Sequence, residues 1–248
     1  MQTVERTFAV LRALAAANGS AGVSHVARET GLAKSTVSRL LTSLEEIGVL
    51  ERLDVAGNYA IGPGLAALTG GVTPAGSLRE VTRPHLRDLV DEVGESAGLT
   101  VADGNTALYI DHVGADGAIQ TRDWTGMRFP YHTVAGGHAM MMTWSDGEVE
   151  QYAARGLNAF TAATVTTCKE LLSRVRRARR LGFAWTLQDF DDEINGVAAP
   201  IRDGGGRAMG AITVYGPSFR FPPSGADAVI GERVVEAAEM VEARYRAV

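Results

Sequence analysis

Eight polar side chains between residues 34 and 52 have the chemistry of a surface that contacts DNA: Lys34, Ser35, Thr36, Ser38, Arg39, Thr42, Ser43 and Arg52. Short hydroxyls suit phosphate oxygens and base edges, and an arginine fork can take both acceptors of a guanine, for about 1–3 kcal/mol of discrimination. Spacing decides which way these residues face. Val37, Leu40, Leu41, Leu44 and Ile47 recur at three- and four-residue intervals, which predicts one buried stripe of a helix with the polar residues on the opposite side. Ser35, Thr36 and Ser38 then sit near the helix start, where free backbone amides attract phosphate. Arg52 falls on a following strand and is expected to hold the DNA backbone.

A second constellation lies further on. Arg122 and Trp124 precede Phe129-Pro130-Tyr131-His132-Thr133-Val134-Ala135-Gly136-Gly137-His138, which reads as a loop running into a helix. Small residues at that junction, Ala135, Gly136 and Gly137, would let an anion approach the helix amides. A cation beside aromatic rings, with a hydroxyl such as Thr213, suits an aromatic carboxylate better than a two- or three-carbon acid. The plainer reading is that Trp124 and Phe129 are ordinary core and Arg122 is solvated.

Other reactive residue types carry less. His112 beside Asp111, His132 and His138 fall on separate elements without the spacing of a metal site. Cys168 is the sole cysteine, which excludes an intramolecular disulfide and a cysteine-based zinc cluster. The run Asp203-Gly204-Gly205-Gly206 is a turn, not a phosphate loop, so neither a metal nor a cofactor is expected. Arg174, Arg176, Arg177, Arg179 and Arg180 share a helix with Leu171, Leu172, Val175 and Ala178. They read as that helix's solvated face or a subunit contact rather than a second DNA site.

The elements that must position these groups follow from periodicity. Val4, Phe8, Leu11 and Leu14 predict a first helix reaching Ala17, closed by Asn18-Gly19-Ser20. A short helix over Ser24–Thr30, with Ser24 as N-cap and Gly31 as its stop, leads through a tight turn into the helix from Lys34, which Gly48 ends. Two helices joined by so short a turn form a helix-turn-helix. Val49–Leu53 and Asn58–Ile61, around Asp54-Val55-Ala56-Gly57, then predict a hairpin, the wing of such a domain. Leu65–Leu68 opens a linker helix, broken by Gly70-Gly71-Val72-Thr73-Pro74, and Ala75–Val93 continues helically, with Pro84 a kink point.

Beyond it, strands are predicted at Leu99–Ala102, Ala107–Val113, Ile119–Arg122, Phe183–Trp185, Gly196–Arg202 and Met209–Tyr215. Helices are predicted at Val134–Trp144, Gly147–Ala154, Cys168–Leu181 and Gly225–Arg246. That order indicates an α+β domain on an antiparallel sheet.

Bulk properties set the limits. The chain has 248 residues, 46% of them hydrophobic, and a net charge of −5. Six basic and six acidic residues cancel in the first seventy, so the charge footprint usual for DNA binding is missing. The case for DNA rests on pattern and on pairing of copies. Neither a signal peptide nor a membrane span is recognisable, and a reducing cytoplasm fits the single cysteine.

Six stretches resemble the IclR family of transcriptional regulators. Val4-Glu5-Arg6, Gly31-Leu32-Ala33-Lys34-Ser35-Thr36-Val37-Ser38-Arg39-Leu40-Leu41 and Leu44-Glu45-Glu46-Ile47-Gly48-Val49-Leu50 are similar to its DNA-binding domain. Gly182-Phe183-Ala184-Trp185, Gly196-Val197-Ala198-Ala199-Pro200-Ile201 and Gly210-Ala211-Ile212-Thr213-Val214-Tyr215-Gly216-Pro217 match the spacing of its effector domain. The resemblance implies an α+β architecture: a winged helix-turn-helix at 1–62, a linker helix at 63–74 and a GAF-like effector and oligomerisation domain at 75–248. It further implies a homodimer or dimer of dimers on double-stranded operator DNA, and a small organic acid as effector, in control of a catabolic operon. Ala135, Gly136 and Gly137 would form one wall of the effector pocket, with Thr186, Asp189, Thr213 and Tyr215 from neighbouring segments. His138 stands where the family has lysine, and Tyr215 where many members carry a small hydroxyl residue.

Two other functions compete. One is an enzyme acting on a small carboxylate whose N-terminal module serves only assembly, for which no catalytic set assembles. The other is a DNA-binding architectural protein with no ligand, which a pocket filled by Tyr215 and Trp124 would favour.

Overall fold

Three apolar helix faces close on one another in the N-terminal region. Val10 and Leu14 of α1 (Gln2–Ala16), Val26 of α2 (Val23–Thr30) and Val37, Leu41 and Leu44 of α3 (Lys34–Glu46) form one core with Leu50 and Tyr59. The computed structural model describes residues 2–17, 20–53, 57–68, 74–116 and 121–246. By its contacts the chain divides into two units, residues 1–73 and 74–248.

In the first unit, β1 (Ala21–Gly22), β2 (Leu50–Arg52) and β3 (Asn58–Ile61) form a sheet in the order β1-β3-β2, and α4 (Pro63–Leu68) follows. The helix-turn-helix and wing stand where the sequence puts them, with differences of physical origin. Val4 and Phe8 are 61% and 54% exposed, because Val10 and Leu14 face the core instead. Ile47 is 69% exposed, since α3 has ended before it. Ser24 does not cap α2: Ala21 and Gly22 pair with Tyr59 and Asn58, so the chain enters the helix straight from a strand with Gly22 at the N-cap. The expected stop at Asn18-Gly19, the wing tip Asp54–Ala56 and most of the expected break at 70–74 lie outside the described residues.

The second unit is a six-stranded antiparallel sheet in the order β6-β5-β4-β9-β8-β7. Its strands are β4 (Ser96–Asp103), β5 (Thr106–Val113), β6 (Arg128–Pro130), β7 (Ala184–Leu187), β8 (Ile194–Arg202) and β9 (Ala208–Pro217). Alternation assigns the two faces. Leu99, Val197, Ile201, Ile212 and Val214 pack on α5 (Pro74–Val93) and α9 (Asp227–Arg246). Each wholly buried side chain of this size contributes about 1.5–3 kcal/mol. Tyr109, Ala198, Ala211 and Tyr215 face the other way, towards α6 (Ala135–Met141), α7 (Asp146–Ala153) and α8 (Cys168–Leu181).

Here too some expectations shift. α5 runs through Pro84, and a 3₁₀ turn at Tyr131–Thr133 precedes a shorter α6. Of the strand expected at Ile119–Arg122, Ile119 and Gln120 lie outside the described residues, and Thr121 and Arg122 are not in a strand. The edge strand is Arg128–Pro130, paired with Thr106–Leu108. Among the described residues no helix is long and apolar enough to cross a membrane.

Candidate functional site

In the first unit α2 stops at Gly31, whose φ of +68° is the left-handed turn that glycine adopts without strain. Leu32 and Ala33 then lead directly into α3, whose N-cap Ala33 offers no side-chain cap. With Val37, Leu41 and Leu44 buried, Lys34, Ser35, Ser38, Arg39, Thr42 and Ser43 are exposed and Thr36 is half-buried. Among the described residues neither Lys34 nor Arg39 has an acidic partner. Arg52 differs from expectation. Its guanidinium donates to Glu45 at 3.3 Å and to the Tyr59 hydroxyl at 2.5 Å, and lies 5.0 Å from the Tyr59 ring centroid. Glu45 beside it raises its pKa further. Arg52 therefore ties the wing to α3 and is not a free cation.

In the second unit a cavity lies between the sheet and the start of α6. Register builds its floor: Thr186 pairs with Gly196 and Gly196 with Tyr215, while Thr213 sits two residues along β9. A bulge in the β4–β5 pairing skips Ile110, so Tyr109 and His112 share the cavity face and Asp111 points to the other. Trp124, Thr133, Val134, Ala135, Asp189 and Phe190 complete most of the lining.

Aromatic rings fill this space. Trp124 stacks on Tyr215 with centroids 5.1 Å apart and planes at 1°. Tyr109 meets Trp124 edge-on at 5.6 Å, and Phe129, behind them, meets Phe190 at 4.7 Å. About 20 Å³ remains, room for about one water. The Tyr215 hydroxyl is 2.6 Å from His112 Nδ1, and burial lowers the His112 pKa, favouring the neutral imidazole. Burial also raises the Tyr109 phenol, which the neighbouring Thr213 hydroxyl opposes. Thr213 Oγ1 itself completes no hydrogen bond of normal geometry. Asp189 is 1% exposed, ion-paired to Arg174, and accepts from the Leu187 amide at 2.8 Å. Burial pushes its carboxyl up to about 6, against the pull of Arg174.

Of the residues expected here, Trp124, Ala135, Thr186, Asp189, Thr213 and Tyr215 line the cavity, and Phe129 packs behind it. Arg122 does not: it is exposed on the preceding loop, and among the described residues the cavity lining holds no Lys or Arg side chain. Gly136 and Gly137 have a different reason for their size. A Cβ on Gly136 would strike Thr100 Oγ1, and one on Gly137 the Tyr131 carbonyl, so they let α6 settle on its neighbours. Tyr109, Phe190, Gly196 and His112 were not expected. Alternation along β5 could have flagged Tyr109; His112 needed the bulge.

His132, His138 and three of the five arginines of α8 are engaged in structural contacts. His132 bonds the Tyr152 hydroxyl at 2.9 Å and the Asn158 carbonyl at 3.0 Å. His138 bonds the His132 carbonyl at 3.0 Å and is lowered to about 4 by burial. On α8, Arg176 and Arg179 both hold Asp146 at 2.6 Å, Arg179 also bonds the Trp144 carbonyl at 2.6 Å, and Arg174 holds Glu170 at 3.0 Å. Among the described residues no three His, Cys, Asp or Glu stand together as metal ligands would.

Residues 3–54 match the family described as the IclR helix-turn-helix domain, and residues 72–243 the bacterial transcriptional regulator IclR C-terminal family. The transcriptional repressor IclR of Escherichia coli K12 is 28% identical over 99% of this chain and 90% of its own. The glycerol operon regulatory protein of Streptomyces griseus is 31% identical over 92% and 89%. Among solved structures, a putative transcriptional regulator of Rhodococcus sp. RHA1 has a TM-score of 0.66 at 25% identity, covering 100% of this chain and 99% of that one. An IclR homologue of Microbacterium hydrocarbonoxydans complexed with 4-hydroxybenzoate shares the fold, with a TM-score of 0.64 at 24% identity over 99% of both chains. With both units matched, this chain belongs to the IclR family of transcriptional regulators.

Proposed function

We propose that this chain represses a catabolic operon by binding operator DNA through α3, and that a small planar aromatic effector in the second unit controls it. One observation carries the DNA reading: the outward face of α3 holds Lys34, Ser35, Thr36, Ser38, Arg39, Thr42 and Ser43, with its two cations unengaged by acids among the described residues. Arg39 contacts a base edge, Lys34 and the hydroxyls contact phosphates, and Arg52 orients the wing. Two or four copies acting together double or quadruple the phosphate contacts that a neutral first unit lacks, and a second copy would cover exposed Val4 and Phe8. Repression follows the named activity of the relatives.

The effector class narrows with the geometry. An acid loses its expected cation with Arg122. What remains is an aromatic slot ringed by the hydroxyls of Thr133, Thr186 and Thr213, which take a carboxylate where the ligand has one. The relative bound to 4-hydroxybenzoate supports an aromatic ligand. The small free volume favours a second reading, a DNA-binding protein without a ligand.

Mobility shift on DNA upstream of its own gene tests the first part: a specific shift that Arg39→Ala abolishes is expected, and none at low salt would sink the reading. Calorimetric titration with 4-hydroxybenzoate and with glyoxylate tests the second. Preference for the two-carbon acid would overturn the aromatic class, and binding of neither would favour the ligand-free reading.

A further inference from the structure

We infer that Trp124 is a built-in occupant of the effector site, a side chain in the place of the planar ligand, and that an effector acts by replacing it on Tyr215. The inference rests on the regulator reading above and adds how the site is switched. A ligand site needs hundreds of cubic ångströms, and about 20 Å³ is free, so something must leave before anything enters. Tyr109 and Tyr215 are fixed on central strands. Trp124 is carried by a segment, Thr121–Thr125, that belongs to no helix or strand. Its indole lies at 1° to the Tyr215 ring, with Tyr109 and Phe190 edge-on to it at 5.6 and 6.4 Å. A flat ring stacked on one face and met edge-on by two others fills a space shaped for a planar aromatic body.

The slot is wired to the far face of the sheet. Tyr215 bonds His112, and the adjacent residue, Asp111, turns the other way because of the bulge. Asp111 is 1% exposed and ion-paired to Arg83 and, at 3.2 Å, to Arg79, both on α5. α5 is the helix that directly follows the stretch of chain joining the two units. Exchanging Trp124 for a ligand of different size moves Tyr215, and two consecutive residues of β5 pass that shift to α5. The effector then pays the cost of displacing the indole, so its apparent affinity is lowered by the fraction of open slot.

The test is operator affinity of the full chain, by mobility shift, for wild type, Trp124→Phe, Trp124→Ala and Trp124→Ala with free indole. Trp124→Ala should change affinity by about tenfold or more. Millimolar indole should restore it, and Trp124→Phe, which keeps a smaller ring in the slot, should change affinity less than Trp124→Ala does. A loss of thermal stability in Trp124→Ala with operator affinity unchanged, or a change that indole does not reverse, would overturn the inference. Failure of the wild type to bind any operator removes the regulator reading instead. Calorimetry then still decides the slot: Trp124→Ala should bind indole about tenfold more tightly than wild type, and equal binding refutes a displaceable indole.

Discussion

Two helices of this protein carry cations at close spacing, and they use them in opposite ways. On α3, Lys34 and Arg39 face outward without an acidic partner among the described residues. On α8, Arg174, Arg176 and Arg179 are engaged by Glu170 of the same helix and by Asp189 and Asp146, which clamp the helix to the segment after β7 and to α7. Three of the five arginines of α8 are thus neutralised within the fold, while Arg177 and Arg180 stay exposed. Density of charge says less than whether the fold has already neutralised it, because a cation that must first leave a carboxylate gains less from a phosphate.

Each helix can be tested against the other. Arg39→Ala should cost about 10- to 100-fold in operator affinity, the value of one lost bidentate base contact, with no change in melting temperature. A comparable loss from Arg176→Ala would reverse the contrast. Lys34→Ala should reduce the slope of log affinity against log salt by about one per bound copy, whereas Arg177→Ala should leave the slope alone.

The next effect is read in pH. Asp189 is raised from an ordinary 3.8 to about 6, so the folded state binds more protons than the unfolded chain between those values. Its contribution to stability is full below about pH 4 and is lost as pH rises through about 6. Asp189→Asn cannot ionise and should flatten that decline in melting temperature; an unchanged slope would show that Arg174 keeps the carboxylate charged. The smallest effect belongs to Asp146→Ala, which frees Arg176 and leaves Arg179 on the Met142 and Trp144 carbonyls. Melting temperature should fall slightly while operator binding holds, and a rise in nonspecific DNA binding would show that neutralisation had been masking a second site.

What the sequence made legible follows the same division. A helix face is written in a 3.6-residue period, so the outward set on α3 could be read directly. The strand bearing Thr213 and Tyr215 could be placed by pattern and resemblance, whereas Thr186, expected just past a strand ending at Trp185, lies within β7. A loop has no period, and Arg122 went to the wrong place because nothing in its neighbours fixes a direction. His112 escaped because a bulge resets alternation without a sequence mark. Gly136 and Gly137 are ambiguous for another reason: smallness serves close packing and ligand access alike, and the atoms a Cβ would meet show only that packing requires it here. Arg52 was placed correctly on its strand, but pairing with Glu45, seven residues earlier, is invisible before folding.

The Asp189 carboxylate has one further consequence. β7 is the outer strand of the sheet, and its Leu187 amide donates to that carboxylate. An outer strand with free amides invites another chain to add itself, the first step of strand-by-strand aggregation. Here one of those donors is already taken by the carboxylate two residues further along, so the side chain that borders the aromatic cavity also shields one point of the sheet edge. Replacing it to retune the cavity therefore carries a cost in solubility.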